Sequence, residues 1–420
     1  MRVLVVGGGG REHTLVWKLS QSRRVTELFC APGNGGIAAL ATCVPIKATD
    51  VEGMVRFVRE NAIDFVVVAP DDPLMLGMVD ALEAEGVKCF GPRKNAALIE
   101  GSKIFAKQMM RDAGIPTADF EIFDDPDEAR RYLREKNEYP TVIKADGLAL
   151  GKGVIIAKNE QQAMQAVGDM MEQRAFGEAG SRILIEQCLR GPEVSVLAFT
   201  DGKTVRPMVS AQDHKRAFDH DEGPNTGGMG TFSPSRIYTP ALAETCMQRI
   251  FLPTVRAMNE LGRPFRGCLY FGLMIVDGEP YVIEYNARFG DPETQVVLPR
   301  LKSDLFEIFD AVADERLDTA EIEWDDGAAV CVVLASGGYP GKYETGFPIA
   351  GLEETNALPG VTVFHAGTRL EGERVLTAGG RVLGVTALGD DLDTAIRAAY
   401  DAVGHVSFEK AHYRRDIGIK

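Results

Sequence analysis

The densest chemical signal in the chain is Val282-Ile283-Glu284-Tyr285-Asn286-Ala287-Arg288-Phe289-Gly290-Asp291-Pro292-Glu293-Thr294. Side chains alternate along a strand, so Glu284 and Asn286 share a face about 6–7 Å apart, where a carboxylate and an amide oxygen suit one hard cation. Magnesium keeps few protein ligands and shares the rest with phosphates and water, so two oxygens are chemically sufficient. Arg288 lies one step further on that face, and its planar fork matches a carboxylate or phosphate beside the cation. An edge strand with a polar face is the bland alternative; the Arg/Asp/Glu-rich turn that follows weighs against it.

Lys144-Ala145-Asp146-Gly147-Leu148-Ala149-Leu150-Gly151-Lys152-Gly153-Val154 joins two strand-like runs through glycines that let backbone approach phosphate oxygens, with lysines for countercharge. It is not a Walker A loop, because no G-x-x-x-x-G-K-[ST] is present and a strand follows. Taken alone, a plain hairpin loop explains it equally well. Ile183-Leu184-Ile185-Glu186-Gln187-Cys188-Leu189, with Glu193 beyond, is a strand end that could offer backbone groups to a purine and a carboxylate to ribose hydroxyls. Alone, an exposed strand end is the better account of it. Gln212-Asp213-His214-Lys215-Arg216 and Gly223-Pro224-Asn225-Thr226-Gly227-Gly228-Met229-Gly230 combine both charge signs with a glycine loop, which suits an amino acid or a sugar phosphate.

Gly7-Gly8-Gly9-Gly10-Arg11-Glu12-His13 follows the opening strand and precedes a helix, a favourable place for an anion. A dinucleotide fingerprint fails in detail, since Glu12 or His13 falls where the third glycine belongs and the second strand ends at Ala31-Pro32-Gly33 without a ribose-binding acid. A nicotinamide-dependent oxidoreductase is thus supported only by this first turn. No histidine sits in a Ser/His/Asp spacing and no G-x-S-x-G elbow occurs, so nucleophilic hydrolysis has no support. The seven cysteines are scattered, without metal spacing, and are expected to be reduced packing residues.

These segments need elements to hold them. A chain of 420 residues exceeds one core, and two to four domains are expected. Residues 1–101 alternate strand-like and helical runs, a βαβ pattern that predicts a parallel, Rossmann-like sheet. A helix capped by Gly101-Ser102 runs from Lys103 to Ala113 and opens a second, α+β unit over 102–326. Within it, 119–190 reads as a small lid, and Asp201-Gly202 and Asp277-Gly278 read as two-residue hairpin turns. A C-terminal α/β unit occupies 327–420, from the buried strand Ala329–Ala335 to the helix Leu392–Val403. The net charge of −15 argues against nucleic acid, no apolar run is long enough for a membrane span, and the N-terminus lacks a signal-peptide pattern, which places the chain in the cytoplasm.

The order of these parts, strand lysine, glycine lid, strand with Glu186 and late hairpin with Glu284-x-Asn286, resembles the ATP-grasp superfamily. Gly8-Gly9-Gly10-Arg11-Glu12-His13, Gly101-Ser102-Lys103, Lys144–Ala149, Gln212–Arg216, Gly223–Gly230 and Arg288–Gln295 resemble the glycinamide ribonucleotide synthetase family, over nearly the whole chain. The resemblance implies a pre-ATP-grasp N-terminal domain, an ATP-grasp core with lid, and a C-terminal domain, acting as a monomer on ATP, glycine and phosphoribosylamine with magnesium or manganese. It implies that Lys103 and Lys144 hold phosphates under the loop with Gly151, Lys152 and Gly153, that Glu186 and Leu189 meet adenine, and that Glu193 meets ribose. Glu284 and Asn286 would bind the metal. Gly10, Asp213, Arg288 and Asp291 would meet the other substrates, with Arg288, Lys144 and Asp213 closest to the chemistry. Three departures stand out: no acid on Leu269–Val276, which puts a second metal ion in doubt, Asp71 where the family usually has Glu, and Leu150 where it has a small residue.

Overall fold

The computed structural model describes residues 1–147, 153–173 and 177–419. Val3, Leu4, Val5 and Val6 are all buried, as required of a strand covered on both faces at the centre of a parallel sheet. That strand, β1 (Arg2–Gly7), lies in the middle of five, with β2 (Glu27–Pro32), β3 (Thr42–Cys43), β4 (Phe65–Val68) and β5 (Lys88–Phe90) in the order β3-β2-β1-β4-β5, all parallel. The order reverses beside β1. The loops leaving β1 and β4 therefore open a crevice at one end of the sheet, where ligands of such folds sit, and these loops carry Gly8–Gly10 and Asp71. The stretch after β4 forms two helices, Asp71–Leu76 and Met78–Ala84, because Gly77 turns left-handed (φ 86°) between them.

Ser102 accepts from the Phe105 amide (3.0 Å) and starts the helix Lys103–Asp112, and its hydroxyl also donates to Asp146 (2.9 Å). The helix start is thereby tied to the base of the lid. Strands Phe120–Phe123, Ile183–Gln187, Thr141–Ala145 and Val154–Ala157 form the four-stranded lid sheet, in that order. Ala129, Leu133, Ile143 and Ile185 belong to a small core of its own. The main antiparallel sheet has the order Val205–Pro207, Glu193–Asp201, Arg266–Val276, Glu279–Asn286.

Asp277 and Gly278, at φ 51° and 85°, make the expected two-residue turn between Val276 and Glu279. The Asp201 turn is longer, since pairing resumes only at Thr200 and Val205. Asp201 Oδ1 accepts from the amides of Lys203 (3.0 Å) and Thr204 (2.7 Å), a side-chain closure that substitutes for the tight backbone turn. The continuous helix over Pro240–Glu260, with a π turn at Met247–Phe251, went unread in the sequence.

The last sheet joins Gln212–Asp213 and Gly230–Ser233 to Ala328–Ser336, Arg381–Gly389 and Val361–His365, in that order. Strands from the middle of the chain thus pair with the C-terminal unit, bringing Asp213 and the 223–230 loop against it. On the other side Asn34 Nδ2 donates to the His365 carbonyl (2.8 Å) and the His365 amide to His13 Nδ1 (2.7 Å), which ties the N-terminal sheet to the same unit.

Candidate active site

The hairpin strand Glu279–Asn286 positions the expected cation ligands. Its register slips once: Val282 pairs with Leu273 and Glu284 with Gly272, leaving Ile283 as an extra residue. Such a bulge frees backbone groups from the ladder, and the Ile283 carbonyl accepts from Lys144 Nζ (3.1 Å). Opposite Glu284, a Cβ on Gly272 would lie 2.8 Å from Glu284 Cγ. A side chain at position 272 would crowd the stem of Glu284. Glu284 keeps 42 % of its side chain exposed to the cleft. Lys215 first, and then Lys144, holds its carboxyl below the usual range against the cost of burial, so it is ionised at neutral pH. An ionised carboxylate with the Asn286 amide oxygen two residues on is a donor set that fits a hard divalent cation. Among the described residues no group of three or more His, Cys, Asp or Glu has metal geometry.

The lysines come from three other elements. Lys144, from the lid, pairs with Glu186 Oε2 (3.0 Å), which also takes Lys107 (3.2 Å). Glu186 and Lys107 are 4 % and 3 % exposed, so each is held only because the other is present. Burial lowers the Lys107 pKa to about 8 despite Glu186, and burial followed by the Lys144 charge lowers that of Lys103. Lys103 donates to the Gly147 carbonyl (2.7 Å) at the start of the lid loop. Lys215 bridges Glu193 (2.9 Å) and Glu284 (3.4 Å). The expected ribose acid and the expected metal acid therefore share one ammonium, a link that sequence alone did not suggest.

On the far side of Asn286, Arg288 Nη2 reaches the Asn286 amide oxygen (3.3 Å) and Glu100 (2.8 Å). Glu100 also accepts from the Ala287 amide (2.6 Å), so it fixes both the backbone and the guanidinium of the 286–288 turn. Asp291 meets Arg381 of the C-terminal unit (3.4 Å), whose Nη1 donates to the carbonyls of Gly227 (2.7 Å) and Asp291 (2.8 Å). Burial opposes ionisation of Asp291, but Arg381 and Arg11 hold its pKa below the usual value. Asp213 differs: enclosure, followed by the Glu293 carboxylate, raises its pKa well above the ordinary carboxylate range. Gly228, at φ 112°, lets the loop pass between Pro292 and Asp213, which a Cβ would meet at 2.5 and 2.7 Å. A Cβ on Gly10 would meet Gln295 Nε2 at 2.6 Å and Asp291 Oδ1 at 3.6 Å, which puts Gly10 beside Asp291.

Lys103, Lys144, Lys215, Glu284 and Asn286 are thus brought together, with Glu186 behind Lys144 and Glu193 on Lys215. Arg288, Asp291, Asp213 and Gly10 make an adjoining group. Leu189 stands in the loop after the lid strand, and among the described residues no hydrogen bond or ion pair joins it to the lysines. Gly153 is buried and its carbonyl accepts from the Ala145 amide (2.9 Å); Gly151, Lys152 and the Leu150 departure lie outside the described residues. Asp71 falls within reach of the Arg288 and Glu100 charges, so that departure faces the site. Sequence reading missed Glu100, Lys107 and Arg381. Glu100 had a signal, a lone acid ending the apolar run Ala96-Ala97-Leu98-Ile99; Arg381 had none.

A lid over a bulged hairpin, with lysines from separate elements around a carboxylate–amide pair, defines an ATP-grasp protein. The family comparison is more specific: the N domain, ATP-grasp (A) domain and C domain of phosphoribosylglycinamide synthetase match residues 1–100, 101–294 and 329–420. The chain belongs to the phosphoribosylglycinamide synthetase family. It is 50 % identical over 420 residues to the phosphoribosylamine–glycine ligase of Halalkalibacterium halodurans, covering 100 % of this chain and 97 % of the relative. It is 47 % identical over 422 residues to the trifunctional purine biosynthetic protein adenosine-3 of Gallus gallus, covering 100 % of this chain and 42 % of that one. The crystal structure of phosphoribosylamine–glycine ligase from Thermotoga maritima superposes with a TM-score of 0.86 at 34 % identity, over 99 % of this chain and 100 % of that one. Among the described residues no helix is long and apolar enough to cross a membrane.

Proposed function

We propose that the chain is an ATP-dependent ligase that joins glycine to 5-phosphoribosylamine, giving glycinamide ribonucleotide, ADP and phosphate on the route to purines. The observation that carries this reading is the convergence of Lys103, Lys144 and Lys215, from three separate segments, around Glu284. A polyanion such as a triphosphate fits there.

The glycine carboxylate attacks the γ-phosphorus, the bond to the β-phosphate oxygen breaks and ADP leaves. The amine of phosphoribosylamine then attacks the acyl carbon of glycyl phosphate, and phosphate departs. Such transfers need alignment and charge neutralisation more than a nucleophilic side chain. Lys103 and Lys144 hold the phosphates, with Gly153 at the edge of the lid loop; the phosphate role expected of Gly151 and Lys152 falls outside the described residues. Glu186 and Leu189 flank adenine, with the Glu186 carboxylate acting through Lys107 and Lys144, and Glu193 takes the ribose. Arg288 and Asp213 orient glycine and the second substrate, whose sugar phosphate lies along Gly10 and Asp291. Glu284 and Asn286 would hold a divalent cation, magnesium or manganese, which would supply charge neutralisation for the phosphoryl transfer. Closing the lid excludes water that would hydrolyse glycyl phosphate. The same reading divides the chain at 1–101, 102–326 and 327–420 and makes it a cytoplasmic monomer.

The test is ADP release from ATP with glycine and phosphoribosylamine supplied together and singly. Release only with both is expected. If another acid and amine support release and this pair does not, the chain is a different ATP-grasp ligase.

A further inference from the structure

The hairpin carrying the 223–230 loop has little packing of its own, since Phe218 and residues 220–225 are exposed. Its tip is strained: His220 and Asp221 stand at φ 60° and 57°, a region that side chains with a Cβ avoid. Two such residues in succession persist only where the surroundings over-determine them. Here the surroundings are the end of the chain. Arg414, 0 % exposed, forks onto Asp416 (2.7 and 2.8 Å), pairs with Asp221 (2.9 Å) and donates to the Arg216 carbonyl (3.1 Å). Asp416 accepts from the His220 amide (2.8 Å), Asp219 accepts from the Arg415 amide (2.7 Å), and a His412 ring nitrogen lies 2.7 Å from the Ala217 carbonyl oxygen.

The contacts continue to the base of the hairpin. The Gly418 amide donates to His214 Nε2 (3.5 Å), and Ile417 lies 2.7 Å from where a Cβ on Gly230 would be. At that base the Thr226 amide and hydroxyl both donate to the Lys215 carbonyl (2.7 and 2.9 Å), and the Met229 amide to that of His214 (2.8 Å). An enclosed guanidinium is tolerated only with all its partners in place, so Arg414 admits one hairpin geometry. That geometry fixes the backbone of Lys215 and Gly228.

We propose that residues 412–418 are a positioning strap: Arg414 and Asp416 hold the 216–225 hairpin, and through it set the Lys215 ammonium and the Gly227–Gly228 backbone against the substrates. What the loop meets rests on the ligase reading above; the strap itself does not.

Asp416→Asn and Arg414→Lys keep size while removing the charge or the fork. Amide exchange over 216–226 is expected to quicken by about tenfold in both. In kinetics, kcat is expected to fall and the glycine KM to rise about tenfold each, with a smaller rise of about threefold in the ATP KM, because Lys215 is one of three lysines facing the triphosphate while Lys103 and Lys144 stay in place. Adding His220→Gly to Asp416→Asn relieves the strain at one of the two tip positions without restoring the ion pair, and part of the kinetic loss is expected to be recovered. Unchanged exchange in the folded variants overturns the strap. So does faster exchange with unchanged kinetics, or a uniform loss that tracks the fraction folded. Should Arg414→Lys fail to fold, Asp416→Asn decides alone. A wild-type protein that releases no ADP with glycine and phosphoribosylamine removes the ligase reading instead, and the exchange measurement still judges the strap.

Discussion

On the lid side of the cleft Lys107 and Lys144 share one buried carboxylate, Glu186, and Lys103 lies within the fields of Lys144 and Glu284. On the other side, beyond Asn286, Asp71, Glu100, Asp213, Asp291 and Glu293 stand among Arg11, Arg288 and Arg381. The first side has charge to spare, and the second has nearly every cation already answered by an acid. Spare positive charge suits a triphosphate, which brings its own anions. A network in which five acids answer three arginines suits the ammonium of an amino acid, and it holds its ligands by fixed geometry rather than by spare positive charge. Glu284 lies on the seam, touched by Lys215 and within the fields of Lys144 and Arg288.

The seam is where the largest effect is expected. Glu284→Ala removes the ionised oxygen donor and leaves Lys215 with Glu193 alone. A loss in kcat of about 10³-fold is expected from deleting a group that neutralises the transferring phosphoryl. Because 42 % of the Glu284 side chain is exposed, the melting temperature is expected to change little. Turnover near wild type would mean that the cation ligands lie elsewhere and that the seam has no chemical meaning.

A crossed pair of variants probes the two sides separately. Lys144→Ala is expected to weaken ATP binding by roughly 10- to 100-fold, the span of a lost charged hydrogen bond, and to leave the glycine KM nearly unchanged. Asp213→Asn is expected to raise the glycine KM by about tenfold and to spare ATP. If both substrates respond alike to either change, the cleft is one electrostatic unit and the contrast between its sides is wrong.

The sequence showed one side more readily than the other. Glu284 and Asn286 lie two residues apart on one strand, so the alternation rule puts them on a face, whereas Arg288, expected one step further on that strand, stands in the turn beyond its end. Lys144 and the glycine loop were visible as a motif, although only the bulge at Ile283 explains how a lid lysine reaches the hairpin. Arg381 comes from a strand more than ninety residues beyond the hairpin, and Lys107 looked like any surface lysine on an amphipathic helix. Both act by long-range packing, which local pattern does not encode. The parallel N-terminal sheet was legible because its strands are buried on both faces and read as continuous apolar runs. The pairing of Gly230–Ser233 with Ala328–Ser336 was not, because a strand of four residues carries too little periodicity to name its partner.

The finest distinction between the sides is in how they titrate. Burial brings the Lys107 pKa down from 10.5 to about 8, so this lysine is charged below pH 8 and loses its proton as the pH rises through that value. Glu186 Oε2 is then answered by Lys144 alone, which leaves less of the Lys144 charge for a phosphate. ATP affinity is therefore expected to be full below pH 8 and to decline above it. Stability is expected to move the other way: the unfolded chain binds the Lys107 proton up to 10.5 and the folded chain only to about 8, so between those values the Lys107 contribution rises with pH. The raised pKa of Asp213 acts at the opposite end. As the pH falls, this carboxyl takes up its proton before an ordinary aspartate would and stops attracting an ammonium, so glycine binding is expected to weaken on the acid limb. Profiles of kcat/KM for each substrate, with the other saturating, check both limbs. Lys107→Met is expected to remove the alkaline step for ATP, and Asp213→Asn the acid step for glycine. An alkaline step that persists in Lys107→Met would assign that limb to Lys103, whose pKa burial and Lys144 also lower, and would confine the role of Lys107 to holding Glu186.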